Sequence, residues 1–169
     1  MSKHHRNRNW APAPQPLPED AHVIDNHTHV ASVVPFSQAM SHEAMEKGQG
    51  EVPVYSVDEL LEQAQKVGVE GVIDCGCELP NLMTAIDMAR EHPGTVHAAI
   101  AIHPNEAVLH GHRGAPGPDG LPIKYKPWHD IPFDEAMAEV HRLATTYPNQ
   151  VVAIGETGMD LFRTGESAK

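Results

Sequence analysis

The sequence contains few aromatic residues, few positive charges and almost no cysteine. Aromatic residues make up 5% of the 169 residues, and the two cysteines are Cys75 and Cys77. Cysteines two positions apart on one strand are poorly placed to bridge each other, so the pattern argues against a disulfide scaffold and favours a reducing, cytoplasmic location. As thiolate metal ligands they lack the second cysteine pair that would complete a tetrahedral zinc site.

Positive charge is scarce because 12 lysines and arginines stand against 23 aspartates and glutamates, a formal net charge of −11. Such a balance argues against broad electrostatic binding to nucleic acid. DNA or another phosphodiester can be a substrate only where bound cations and local basic residues supply the positive potential. No apolar run approaches the roughly 18 to 20 residues of a membrane span, so no membrane partner is expected.

The first twenty residues differ in composition from the rest of the chain. A short basic stretch is followed by alternating prolines at Pro12, Pro14, Pro16 and Pro18. This composition predicts an extended arm over residues 1–20, ahead of a folded domain over residues 21–169. The arm has no apolar segment of the kind that a signal peptide needs.

Apolar runs and helical patterns alternate along the folded domain. Strands are predicted near residues 22–28, 71–75, 96–102 and 151–155. Helices are predicted from the capping box at Ser56 to Gly68, from about Pro80 to His92, and from about Phe133 to Thr146. Repeated strand, helix and strand predict a parallel sheet with right-handed crossovers.

Two predicted connections are unusually long, about Val30–Tyr55 and Ala107–Pro132. Both follow the carboxyl ends of strands, where loops shape a substrate site. Lysines in the second loop, Lys124 and Lys126, can be interpreted as phosphate contacts. The favoured interpretation is that they belong to a solvated surface loop. The sequence leaves open whether the loop histidines belong to a site: His42, His110, His112 and His129.

Polar residues follow three of the predicted strands. The segment Asp25–His29 (DNHTH) comes directly after an apolar pair, and two imidazoles on one face of a strand can bind one divalent metal ion. His103 follows a second apolar run, and Glu156 follows a third between two glycines. Such positions, at the carboxyl ends of parallel strands, usually carry the chemistry of α/β proteins.

These motifs, in this order, resemble the amino-terminal half of the TatD-like metal-dependent hydrolases, a family of deoxyribonucleases. The resemblance runs from about Val23 to Arg163 and rests on three segments: Asp25–His29, Ile102–Pro104 and Gly155–Asp160. It implies an α/β fold, a partial TIM (β/α)8 barrel with about four parallel βα units. A complete barrel takes about 250 residues, so we expect roughly half of it to be absent.

The resemblance implies that His27, His29 and Glu156 are ligands of one or two divalent ions, Zn, Mg or Mn. Glu156 and His103 would serve catalysis, with His103 also placed to contact substrate. Arg163 would contact a substrate anion, although a structural salt bridge is an equal alternative. Two further acidic residues are expected to hydrogen bond to the ligands rather than to the metal: Asp25, which could also be a ligand, and Asp160. Asp74 either faces the same end of the barrel as the ligands or caps the turn that follows its strand, and the second interpretation is favoured.

The favoured interpretation is hydrolysis of DNA phosphodiester bonds by a metal-activated water. A chain with only part of the ligand set is expected to turn over little alone. One alternative is an amidohydrolase acting on amide or ester bonds, although binuclear members commonly carry a carboxylated lysine where this chain has Glu156. Another is a non-catalytic half-barrel that associates through open sheet edges with a second copy or a carboxyl-terminal chain.

Overall fold

The computed structural model describes residues 16–49, 52–112 and 125–158. Most of the expected amino-terminal arm, residues 1–15, lies outside these ranges. The described elements, in chain order, are β1 (Val23–Thr28), α1 (Val30–Glu46), α2 (Val57–Lys66), β2 (Val69–Gly76), α3 (Leu79–Glu91), β3 (Val96–Ile100), α4 (Pro104–Ala107), a 3-10 turn (Pro127–Asp130), α5 (Phe133–Thr146) and β4 (Val151–Ile154).

The four strands form one sheet in the order β1-β2-β3-β4, and every neighbouring pair is parallel. Sequential parallel order with helical crossovers is the arrangement found in a (β/α)8 barrel. The predicted partial barrel of about four βα units is therefore confirmed.

The core lies between one face of the sheet and helices α3 and α5. On the sheet side Val96, Ala98 and Ile100 are buried, and Ile86 and Val140 meet them from the two helices. Alternate residues of β3 thus enter one apolar layer, as the period of a strand requires. The sheet is covered best at its centre.

Local sequence signals set the ends of two helices. Ser56 Oγ accepts the Glu59 N–H at 3.2 Å, and Glu59 Oε2 accepts the Ser56 N–H at 2.8 Å. This confirms the predicted capping box of α2. Helix α3 has Pro80 in its first turn and ends before Gly94, whose positive φ of 80° suits glycine.

The prediction of a long loop over about Val30–Tyr55 was wrong, because α1 occupies most of it. The helix has no local start signal: its N-cap residue, His29, makes no side-chain cap. The cap comes from β2 instead, where the buried Asp74 carboxylate accepts the Ala31 N–H at 3.4 Å. Pro35 lies inside the helix and also weakens the helical pattern.

Asp74 therefore caps an earlier helix rather than the turn that follows its own strand. Burial raises the pKa of Asp74, although main-chain N–H groups of Val30 and Ala31 act in the opposite direction. The carboxylate satisfies donors that a helix start leaves without partners. Smaller differences concern strand ends, since β2 begins at Val69 and β3 ends at Ile100.

The second long connection, Ala107–Pro132, contains short helical structure where it is described. Residue Ala107 ends α4, and the 3-10 turn lies at Pro127–Asp130. Lys124 lies outside the described residues. Among those that are described, no helix is long and apolar enough to cross a membrane.

The two edge strands are much less covered than β2 and β3. Ile24 on β1 is 57% exposed, and Val152 and Ile154 on β4 are each 52% exposed. Large apolar side chains on edge strands favour association with another strand. Among the described residues, the sheet is thus covered at its centre and exposed along β1 and β4.

Replacing Ile86 by alanine is expected to lower the free energy of unfolding by about 2–5 kcal/mol, because its fully buried side chain fills the helix–sheet layer. Val108→Ala is the control, since Val108 is 49% exposed and should lose about 0.5 kcal/mol or less. Urea unfolding followed by circular dichroism measures both. Equal losses would contradict this description of the core.

Candidate metal centre

The carboxylate of Glu156 lies where the ends of β1, β3 and β4 meet. His27 Nε2 is 2.6 Å and His29 Nε2 is 3.9 Å from Glu156 Oε1, and His103 Nε2 is 3.4 Å from the other oxygen, Oε2. All four residues belong to the predicted site. The parallel sheet brings them together across more than 120 positions of the chain because parallel strands end at the same edge.

Three of these side chains form a cluster that suits a metal ion. One ligand atom each from His27, His29 and Glu156 lies within 4.8 Å of the other two. Imidazole nitrogen and carboxylate oxygen bind zinc at about 2.0–2.2 Å, so atoms at this spacing can share one ion. The His27 and His29 rings lie edge to face with centroids 5.3 Å apart. The donor set therefore fits a divalent metal.

The ring of His29 is held in the tautomer that a metal ligand needs. Its Nδ1 lies 3.2 Å from the main-chain oxygen of Cys75. A carbonyl oxygen only accepts hydrogen bonds, so Nδ1 carries the proton and Nε2 presents a lone pair toward Glu156. Such a bond to the other ring nitrogen of a ligating histidine fixes the orientation of the ring.

His103 is held in the opposite tautomer. Its Nδ1 accepts the main-chain N–H of Asn105 at 3.1 Å, which also makes it the cap of α4. The proton of the neutral ring is therefore on Nε2, the atom that faces Glu156. In this state His103 offers an N–H donor rather than a metal ligand.

The structure describes only some of the supporting residues predicted from the sequence. Asp25 Oδ1 accepts the main-chain N–H of His27 at 3.1 Å, so its described contact holds the backbone of β1 rather than an imidazole. The Cys75 carbonyl makes the bond that fixes His29. Asp160 and Arg163 lie outside the described residues.

Cys77 lies at the site, although the sequence analysis gave it little weight. Its sulfur is 3.2 Å from Glu156 Oε2. Burial, followed by the hydrogen bond to Glu156, raises the pKa of Cys77 to about 12, so the thiol remains protonated at neutral pH. Its position after an apolar strand is the same signal that identified His27, His103 and Glu156.

A cavity of about 400 Å³ adjoins His29 between the first turns of α1 and α3. Polar side chains on its wall include Ser32, Asn81 and Glu78. Both Glu78 oxygens lie 2.7 Å from Lys126 Nζ. Lys126 is therefore paired with a carboxylate at the wall of the cavity. This ion pair neutralises the positive charge that a bound phosphate would need.

The loop histidines differ in their surroundings. His129 is fully buried and its Nε2 lies 2.7 Å from Glu106 Oε2, while the buried His110 bonds through Nδ1 to the Ile131 carbonyl. His42 and His112 are exposed. His129 thus connects the 3-10 turn to α4, and His110 connects the segment just after α4 to Ile131. Both rings therefore hold the connection between β3 and α5 together.

A comparison with protein families matched residues 24–169 to the model described as TatD related DNase. The chain belongs to the TatD family. This membership confirms the resemblance seen in its motifs, and it places the chain among metal-dependent hydrolases with a TIM-barrel fold. A search of curated proteins found no match.

Substituting His29 by alanine in this TatD protein is expected to weaken divalent metal binding by more than about tenfold, because even loss of a supporting partner costs 10–100-fold. The fold should persist, since the side chain is 44% exposed. His42→Ala is the matched control, because His42 lies on α1 and its exposed ring forms an ion pair with Glu46 at 3.6 Å. Calorimetric titration with Zn²⁺ measures both variants, and equal affinities would contradict the proposed ligand.

Proposed function

We propose that this TatD chain hydrolyses phosphodiester bonds in DNA with a metal-activated water held by His27, His29 and Glu156. The observation that supports this most is that the two oxygens of the Glu156 carboxylate face different groups. Oε1 faces two imidazoles and Oε2 faces His103. One oxygen is thereby available to an ion while the other side of the carboxylate meets a hydrogen-bond donor.

The residues have different parts in the reaction. When bound, a divalent ion lowers the pKa of a water molecule and polarises the phosphoryl oxygen. His29 presents its Nε2 lone pair because the Cys75 carbonyl holds the proton at Nδ1. His103 presents an N–H that can donate to a non-bridging phosphoryl oxygen and orient the substrate.

Charge favours a metal-dependent rather than a lysine-dependent attraction to phosphate. The formal net charge is −11, and Lys126 is already paired with Glu78. Bound cations are often the largest charges in such a site and can reverse its potential. DNA would then be held near the ion rather than along a broad basic surface.

The amidohydrolase alternative has less support. The carboxylate ligand after β4 is Glu156, where binuclear amidohydrolases commonly carry a carboxylated lysine. An ester or amide substrate tested beside DNA distinguishes the two activities. We also propose the division into an arm over residues 1–20 and a domain over residues 21–169, and a cytoplasmic location, which the free thiols of Cys75 and Cys77 support.

Nuclease activity is expected to require both the metal and His103, and substitutions should separate the two requirements. Glu156→Gln should lose both metal binding and cleavage, whereas His103→Ala should retain metal affinity and lose about 10²-fold in rate, the lower end for a positioned proton donor. Fluorescent DNA cleavage with Mg²⁺, Mn²⁺ or Zn²⁺, before and after EDTA, measures the rates. Cleavage that persists fully in EDTA would contradict the mechanism.

The open edges favour a second proposal, that this chain associates with another copy of itself. The exposed apolar side chains of β1 and β4 support it. Light scattering after size-exclusion chromatography should show a dimer or larger species, and Val152→Lys should shift it toward the monomer by placing a charge on the edge. Val54→Lys, 42% exposed before α2, is the control. A wild-type monomer at all concentrations would contradict association.

A further inference from the structure

One side chain contacts the proposed metal centre without a part in the proposed mechanism. The Cys77 sulfur lies 3.2 Å from Glu156 Oε2. We propose that Cys77 is a positioning residue that fixes the rotation of the Glu156 carboxylate, so that Oε1 faces His27 and His29. This inference rests on the proposed function of the same centre.

The direction of the contact follows from chemistry. An ionised carboxylate oxygen can only accept hydrogen bonds, so the thiol donates its S–H to Oε2. A directional hydrogen bond to one of the two carboxylate oxygens restricts the rotation of the Glu156 side chain.

Glu156 needs such support because its own strand provides little. β4 has four residues, and Val152, Ala153 and Ile154 are all exposed. A glutamate side chain that follows an exposed edge strand has several accessible rotamers, and ordering it opposes metal binding. Cys77 reaches Glu156 from the end of β2, a strand that does not neighbour β4 in the sheet.

Cys77 also connects Glu156 to His103. The main-chain oxygen of Cys77 accepts the His103 N–H at 3.0 Å, while its side chain contacts Glu156. The same residue thereby sets the relative placement of the group that would orient substrate and the group that would bind metal. Preorganisation of this kind raises affinity by lowering the cost of ordering the ligands.

The test compares Co²⁺ binding by the complete 169-residue chain with binding by Cys77→Ala and Cys77→Ser. Alanine removes the donor, and serine restores a donor of similar size. Visible d–d absorption gives the affinity, and near-ultraviolet absorption reports any sulfur-to-cobalt charge transfer. We expect about a tenfold loss of affinity with alanine, recovery of most of it with serine, and no charge-transfer band in the wild type.

Two results would overturn the inference. Unchanged Co²⁺ affinity in Cys77→Ala would show that the thiol does not position Glu156. A sulfur-to-cobalt band in the wild type would make Cys77 a direct ligand instead. Should Cys77→Ala fail to fold by circular dichroism, Cys77→Val takes its place, since valine fills the volume of the thiol without a donor.

The outcomes also separate this inference from the proposed function. Wild-type chain that binds no Co²⁺, as His27→Ala is expected to behave, would overturn the metal centre and the positioning role together. Wild-type binding with equal affinities in the valine and serine variants would overturn the role of Cys77 alone. Wild-type binding with the expected order, serine above valine or alanine, supports both.

Discussion

The shared carboxylate of Glu156 is the interaction on which the site depends. It lies 2.6 Å from His27, 3.4 Å from His103 and 3.2 Å from Cys77, which come from three other strand ends. Its position depends in turn on the pairing of β4 with β3, from Ala98 opposite Val151 to Ile100 opposite Ile154. A slip of one residue in that register would turn Glu156 to the other face of the sheet.

Hydrogen bonds from the main chain divide the histidines into two kinds. His29 is bonded at Nδ1 to a carbonyl and presents a lone pair, whereas His103 is bonded at Nδ1 to an N–H and presents a proton. The same side-chain type is thus prepared to act as a metal ligand in one position and as a hydrogen-bond donor in the other, as the proposed function requires. The difference is set by which backbone group each ring meets, and so by the fold.

Local signals predicted much of this arrangement. The capping box at Ser56 predicted α2. Histidines or a glutamate directly after apolar runs predicted the strand ends that form the site. What the sequence did not show depends on contacts between distant positions. Helix α1 is capped by Asp74, which is 43 positions from Ala31, and Cys77 meets Glu156 across 79 positions. No pattern within one segment contains such pairs.

The placement of the proposed ligands would couple metal binding to the stability of the sheet. His27 lies near the end of β1 and Glu156 follows β4, the two strands with the most exposed apolar side chains. Cys77 and His103 follow the buried central strands. Edge strands open more readily than a packed centre. An ion held by His27 and Glu156 joins both edges, and at a concentration 100 times its dissociation constant it would stabilise the folded state by about 2.7 kcal/mol. The central strands therefore hold the hydrogen-bond donors Cys77 and His103 in place. The proposed ligands His27 and Glu156 belong to the edge strands, whose folded state a bound ion would stabilise most.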